Sequence, residues 1–182
     1  MGIPSYYKNI IENYPNIVST KLDLKLNVDN LFFDLNCAIH PCCRNKTDEN
    51  EMFQSIYEKI IECINLTNVQ KLVYIAIDGP APKMKMEQQR QRRLKSSLEN
   101  KIWDTNQITP GTPFMNKLNI FLKEKITQMI TLKHLKFIIS DSNDPGEGEH
   151  KLMDVIDSLP INDINVIYGL DADLIMLSMI RN

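Results

Sequence analysis

Residues 72–80 read Leu-Val-Tyr-Ile-Ala-Ile-Asp-Gly-Pro: an unbroken apolar run, then an acid, then a Gly-Pro stop. A short continuous apolar stretch bounded by a turn signal describes a strand covered on both faces, as in a parallel sheet. The acid at its end, Asp78, comes where the strand leaves the core.

Working outward, Asn30-Leu31-Phe32-Phe33-Asp34 closes a similar run, again ending in an acid, with a polar loop expected after it. Leu135–Ser140 (LKFIIS) and Asn165–Tyr168 give two more strands. Helical patterns lie between them. Residues 5–13 form a short helix ended by Pro15, and Asp48 with Glu51 suggests a capping box. Behind that cap, Met52, Phe53, Ile56, Tyr57, Ile60, Ile61 and Ile64 recur at three-and-four spacing. A polar helix is expected over 84–101, a loop at DTNQITPGT, and a helix started by Thr112-Pro113. The last two helices run from about Glu147 to Leu159 and from Asp171 onward. Strands alternating with helices predict an α/β fold: a parallel sheet with helices on both faces.

A chain of 182 residues with 43% hydrophobic and 24% charged residues suits one globular domain, 1–182. No apolar stretch reaches the 18 residues a membrane span needs. Met1–Tyr6 lacks the basic and apolar regions of a signal peptide. Cys37, Cys42, Cys43 and Cys63 make no CxxC pair, so reduced intracellular thiols are expected, in the cytoplasm with the nucleus as the alternative. The net charge of −2 supplies no global field for nucleic acid, so any such binding rests on a local basic patch.

The acids decide the chemistry. Asp34 ends the first strand and Asp78 the second; Glu147 and Glu149 follow the third, Asp171 and Asp173 the fourth. In an open parallel sheet the carboxyl ends of the strands share one edge, where ligands bind. These six residues therefore converge. Each alone reads equally well as a helix cap, but capping gives no reason for all six to share an edge. Two like charges about 5 Å apart repel by roughly 3 kcal/mol at an effective dielectric near 20. Such a cluster calls for protonation or for hard cations, and all-oxygen ligands favour Mg²⁺ or Mn²⁺ over zinc.

Residues 83–95 (KMKMEQQRQRRLK) supply the basic patch. On a helix Lys85, Gln89, Arg92 and Arg93 share one face, and Arg can hold a phosphate bidentately. The bland alternatives are a solvated helix or a nuclear localisation patch. A phosphate-holding helix beside a carboxylate cluster is what phosphodiester cleavage requires.

Six stretches carry a resemblance: MGIP (1–4), DNLFFDLNCAIHPC (29–42), AIDGPAPKMKMEQQRQRR (76–93), ITPGTPFM (108–115), PGEGEHKLMDVI (145–156) and YGLDADLIML (168–177). In this order they resemble the Xrn 5′→3′ exoribonucleases. The resemblance implies a PIN-like (Rossmann-like) nuclease core with two divalent cations, Mg²⁺ or Mn²⁺. It makes Asp34, Asp78, Glu147, Glu149, Asp171 and Asp173 the catalytic metal ligands. Lys85, Gln89, Arg92 and Arg93 become a pocket for the 5′-monophosphate of single-stranded RNA, and His40 a residue that stacks near the first nucleotide. Products would be nucleoside 5′-monophosphates. The stretches 94–107 and 127–135 are shorter than the family leads one to expect. The chain stops shortly after Asp171-Ala172-Asp173, so it reads as an N-terminal catalytic segment. A downstream portion would carry another carboxylate and an aromatic partner for His40.

Two other functions fit the same residues: a non-catalytic 5′-phosphate RNA-binding fragment, and a flap-type structure-specific DNA nuclease. A dinucleotide site fits poorly, because Gly146-Glu147-Gly148-Glu149-His150 lacks a third glycine and sets carboxylates where phosphates would lie.

Overall fold

The computed structural model describes residues 5–19, 28–97, 102–129 and 134–180. The MGIP stretch and residues 98–101 of the expected polar helix lie outside them.

The elements run α1 (Tyr6–Asn13), β1 (Asn30–Asp34), α2 (Asn36–Cys43), α3 (Glu49–Thr67), β2 (Leu72–Ala76), α4 (Lys83–Ser97), α5 (Pro113–Thr127), β3 (Lys136–Ser140), α6 (Gly148–Ile156), β4 (Asn165–Tyr168) and α7 (Ala172–Met179). The four strands form one parallel sheet in the order β3-β2-β1-β4. From β1 the chain steps outward to β2 and β3, then crosses back to place β4 on the other side of β1. The strand order thus reverses between β1 and β4, and their carboxyl ends open a crevice there.

Side-chain alternation sends each strand's residues to two cores. Leu31, Phe33, Val73 and Ile75 pack beneath α2, α3 and α5, with Ile39, Met52, Ile56, Phe114 and Leu118 fully buried. Phe32, Leu72 and Tyr74 face the other way, against Leu152 and Met153 of α6 and Leu174 of α7. Burial on both faces explains why β1 and β2 are apolar without interruption.

Local chemistry sets the helix ends. Asp48 accepts from the Asn50 N–H and opens α3; the expected box partner was Glu51. Asn68, with φ 49°, closes α3 in the left-handed conformation that ends many helices. Thr112 accepts from the Met115 N–H ahead of Pro113.

The expected polar loop after Asp34 is instead the helix α2, with Pro41 inside it. Leu35, Ala38, Ile39 and Cys43 are buried under α3, and the N–H groups of Ala38 and Ile39 both donate to the Leu35 carbonyl. Burial on one side outweighs the single hydrogen bond that proline forfeits in so short a helix.

Candidate metal centre and phosphate cleft

The register aligns the strand ends: Asp34 lies opposite Ala76, and Ala76 opposite Ser140. Each acid-bearing segment therefore leaves the sheet at the same edge. Glu147 and Asp171 occupy the N-cap positions of α6 and α7, with Glu149 and Asp173 in the first turns.

Five hydrogen bonds position the first two acids. The Gly148 N–H donates to Asp78 Oδ1 at 2.6 Å. Asn36 grips Asp78 twice: its Nδ2 donates to Asp78 Oδ2 at 2.9 Å, and its Oδ1 accepts from the Asp78 N–H at 3.1 Å. The Cys37 thiol donates to Asp34 Oδ2 at 3.1 Å, while the Leu170 N–H donates to the same sulfur at 3.2 Å, tying β1 to the segment after β4. A methyl group on Gly148 would stand 2.9 Å from Asp34 Oδ1 and 3.3 Å from Asp78 Oδ1, so both carboxylates crowd its α-carbon. Gly79 permits a different close approach: a Cβ there would collide with the backbone carbonyl of Asp144.

The other acids complete the rim. Ligand atoms of Glu149, Asp171 and Asp173 lie within 4.8 Å of one another, and so do those of Glu147, Glu149 and His150. Glu149 belongs to both groups. Asp34 feels the charges of Asp78 and Asp171, Asp78 that of Glu147, and Glu149 those of Glu147 and Asp171. The six acids named from sequence thus form one connected set.

Burial makes that set uncomfortable. It raises the Asp34 carboxyl to about 6, helped by the Asp78 and Asp171 charges and opposed by the Cys37 hydrogen bond. Asp78 and Glu149 are pushed upward too, mainly by burial. Glu147 Oε1 and Asp173 Oδ1 are buried with no hydrogen-bond partner among the described residues. Orphaned oxygens of this kind are costly unless something positive meets them.

The basic helix divides its work. Gln89 and Arg93 line a cleft of about 240 Å³ with His40, Asn36, Asp78 and the 105–110 loop. Arg93 donates to Gln89 Oε1 at 3.2 Å. The loop is anchored by Trp103 against Phe114, with ring centres 4.9 Å apart, and by buried Ile108. Lys85 stands elsewhere, its Nζ 2.5 Å from Glu147 Oε2 on the acidic rim. The Arg92 side chain lies outside the described residues.

The family described as "XRN 5′-3′ exonuclease N-terminus" matches residues 1–182, every position of the chain. The chain belongs to the XRN 5′-3′ exonuclease family. It is 36% identical over 247 residues to the 5′-3′ exoribonuclease 2 of Cryptococcus neoformans, covering 98% of this chain and 22% of that protein. It is 34% identical over 241 residues to the proteins of that name from Eremothecium gossypii and Saccharomyces cerevisiae, covering 98% of this chain and 26% and 24% of theirs. The chain therefore spans about a quarter of the length of the curated relatives it matches.

Within this XRN-family segment, four residues that sequence reading passed over shape the site. Asn36 and Gly148 orient Asp78, and Cys37 orients Asp34. The fourth, Lys151, is buried, with its ammonium donating to the Ile77 carbonyl at 2.7 Å and the Asp141 carbonyl at 3.0 Å. It fastens α6 to the ends of β2 and β3. The available signal was adjacency alone: each lies within four residues of an acid already singled out.

Proposed function

We propose that this chain is the N-terminal catalytic segment of a metal-dependent 5′→3′ exoribonuclease acting on single-stranded RNA with a 5′-monophosphate. One observation carries it. Six carboxylates from four strand ends meet at one rim, two of them with buried oxygens that have no partner among the described residues, beside a cleft lined by Gln89, Arg93 and His40. RNA as substrate and the direction of attack come from the relatives' names.

The donor set fits hard divalent cations. All six acids offer oxygen, and the sharing of Glu149 between two ligand groups suits a pair of Mg²⁺ or Mn²⁺ ions. Asp34, Asp78, Glu147, Glu149, Asp171 and Asp173 would hold them. Bound cations would lower the pKa of a coordinated water and steady the leaving oxygen.

The chain's own residues do the rest. Arg93 and Gln89 bind the terminal phosphate in the cleft, where a guanidinium matches two phosphate oxygens at once. His40, exposed on α2 at the cleft, meets the first base. Asn36 and Gly148 fix Asp78, and Cys37 fixes Asp34, so the carboxylates are oriented before substrate arrives.

Incubation with 5′-phosphorylated single-stranded RNA and Mg²⁺ tests this. Nucleoside 5′-monophosphates should appear, and should vanish in the double variant Asp171→Asn, Asp173→Asn. The same yield from both proteins would refute the metal centre.

A second reading, 5′-phosphate-dependent RNA binding without turnover, rests on the cleft lined by Gln89, Arg93 and His40, which would hold a phosphate whether or not the rim holds cations. It predicts that Arg93→Ala weakens binding although neither protein cleaves. A downstream portion of the family architecture would also have a seat. Tyr7, Leu170, Ile175 and Met179 line an apolar cavity of about 630 Å³ between α1 and α7.

A further inference from the structure

We infer that Lys85 couples cation binding to 5′-phosphate binding: Glu147 holds its ammonium until a divalent cation takes that carboxylate and frees the lysine for the phosphate cleft. The inference rests on the function proposed above and adds a link between its two halves.

Three observations support it. Lys85 Nζ sits 2.5 Å from Glu147 Oε2, a charge-assisted bond to a residue only 9% exposed. The other oxygen, Glu147 Oε1, is buried and has no partner among the described residues, so a cation seated there would compete with the ammonium for one carboxylate. Lys85 also precedes Gln89 by one turn of α4 and Arg93 by two, on the face that lines the phosphate cleft. Its side chain is about a third exposed, and its four-carbon stem is flexible.

The carboxylate holds the Lys85 ammonium above its usual range, so the lysine stays charged at neutral pH and the switch is one of position. A monovalent and a divalent cation on one carboxylate repel each other. A 5′-phosphate that draws Lys85 away therefore bares Glu147 and tightens cation binding. By linkage the cation must favour phosphate by the same factor.

Any phosphate close to a metal attracts it, so removal of Lys85 is the discriminating step. Mn²⁺ is titrated calorimetrically into the full chain with saturating uridine 5′-monophosphate, with uridine, or alone, after correction for Mn²⁺ chelated by the nucleotide. The nucleotide should tighten Mn²⁺ binding about 5-fold or more in the unmodified protein, within the usual span of coupling factors, and uridine should not. Lys85→Met should bind Mn²⁺ tighter than the unmodified protein when no nucleotide is present, and should lose most of the coupling. Lys83→Met, which removes an exposed charge from the same turn, should behave as the unmodified protein. Undiminished coupling in Lys85→Met, an equal effect of Lys83→Met, or no coupling in the unmodified chain would overturn the inference alone. Absence of Mn²⁺ binding from every protein would overturn the proposed metal centre with it.

Discussion

The Gly148 N–H donates to Asp78 Oδ1 at 2.6 Å, and the same glycine's α-carbon leaves no room for a methyl group between Asp78 and Asp34. The first residue of α6 thus gauges the distance between acids from two different strands. Gly148→Ala would push Asp34 Oδ1 aside and press on Asp78 Oδ1. The variant should fold, yet bind Mn²⁺ about 10-fold or more weaker, the usual cost of disturbing residues that orient metal ligands. Calorimetric titration, with a melting curve as the folding control, checks this. Affinity within a factor of about two would show that the packing is not needed.

Lys151 bears on stability. Its buried ammonium satisfies two carbonyls at the ends of β2 and β3. Lys151→Met keeps the length of the side chain but strands both acceptors. Denaturant unfolding should show a loss of roughly 2–3 kcal/mol, the cost of leaving buried polar groups unpaired. No measurable loss would mean that the carbonyls find other partners.

Asp34 predicts an unusual pH dependence. Unfolded, its carboxyl titrates near 3.8; folded and metal-free, near 6. Between these values the folded chain keeps a proton that the unfolded chain releases, so this carboxyl's contribution to stability falls as pH rises from 4 to 6. The difference is on the order of 2–3 kcal/mol. In EDTA, Asp34→Asn should therefore be more stable than the unmodified protein at pH 7.5, with the advantage fading towards pH 4.5. Added Mg²⁺ should reverse the order at pH 7.5, since a cation that binds only the native state stabilises it. Parallel pH trends for the two proteins in EDTA would contradict the buried, crowded placement of Asp34.

Arg93 should discriminate between RNA ends. Arg93→Gln removes the guanidinium from the cleft shared with Gln89 and His40. Affinity for 5′-phosphorylated RNA should fall about 10-fold or more, as expected for loss of a charge-assisted contact. Affinity for 5′-hydroxyl RNA should stay nearly level. Fluorescence anisotropy with matched oligonucleotides measures both, and an equal drop for the two ends would make Arg93 a general backbone contact.

Much of this architecture is written in the sequence because burial writes it. Asn30–Asp34 and Leu72–Ala76 are covered on both faces, so they carry unbroken apolar runs, and the acids appear where each run ends. That is enough to place Asp34, Asp78, Glu147 and Asp171 on one edge. The helix α2 was hidden because Pro41 and the polar residues Asn36 and His40 suggest a loop, whereas its formation depends on tertiary burial under α3. The separation of Lys85 from Gln89 and Arg93 was equally hidden. Helical spacing puts them on one face, but the approach of α4 to Glu147 decides which of them reaches the acids. Lys151 reads as an ordinary surface lysine until the ends of β2 and β3 close over it.

The central claim is that acids from four strand ends gather around cations. Anomalous scattering from crystals of the protein soaked in Mn²⁺ tests it directly. Peaks are expected within coordination distance of Glu149, one towards Asp171 and Asp173 and another towards Asp34, Asp78 and Glu147. No peak at this rim, or Mn²⁺ held only at surface acids remote from Glu149, would contradict it.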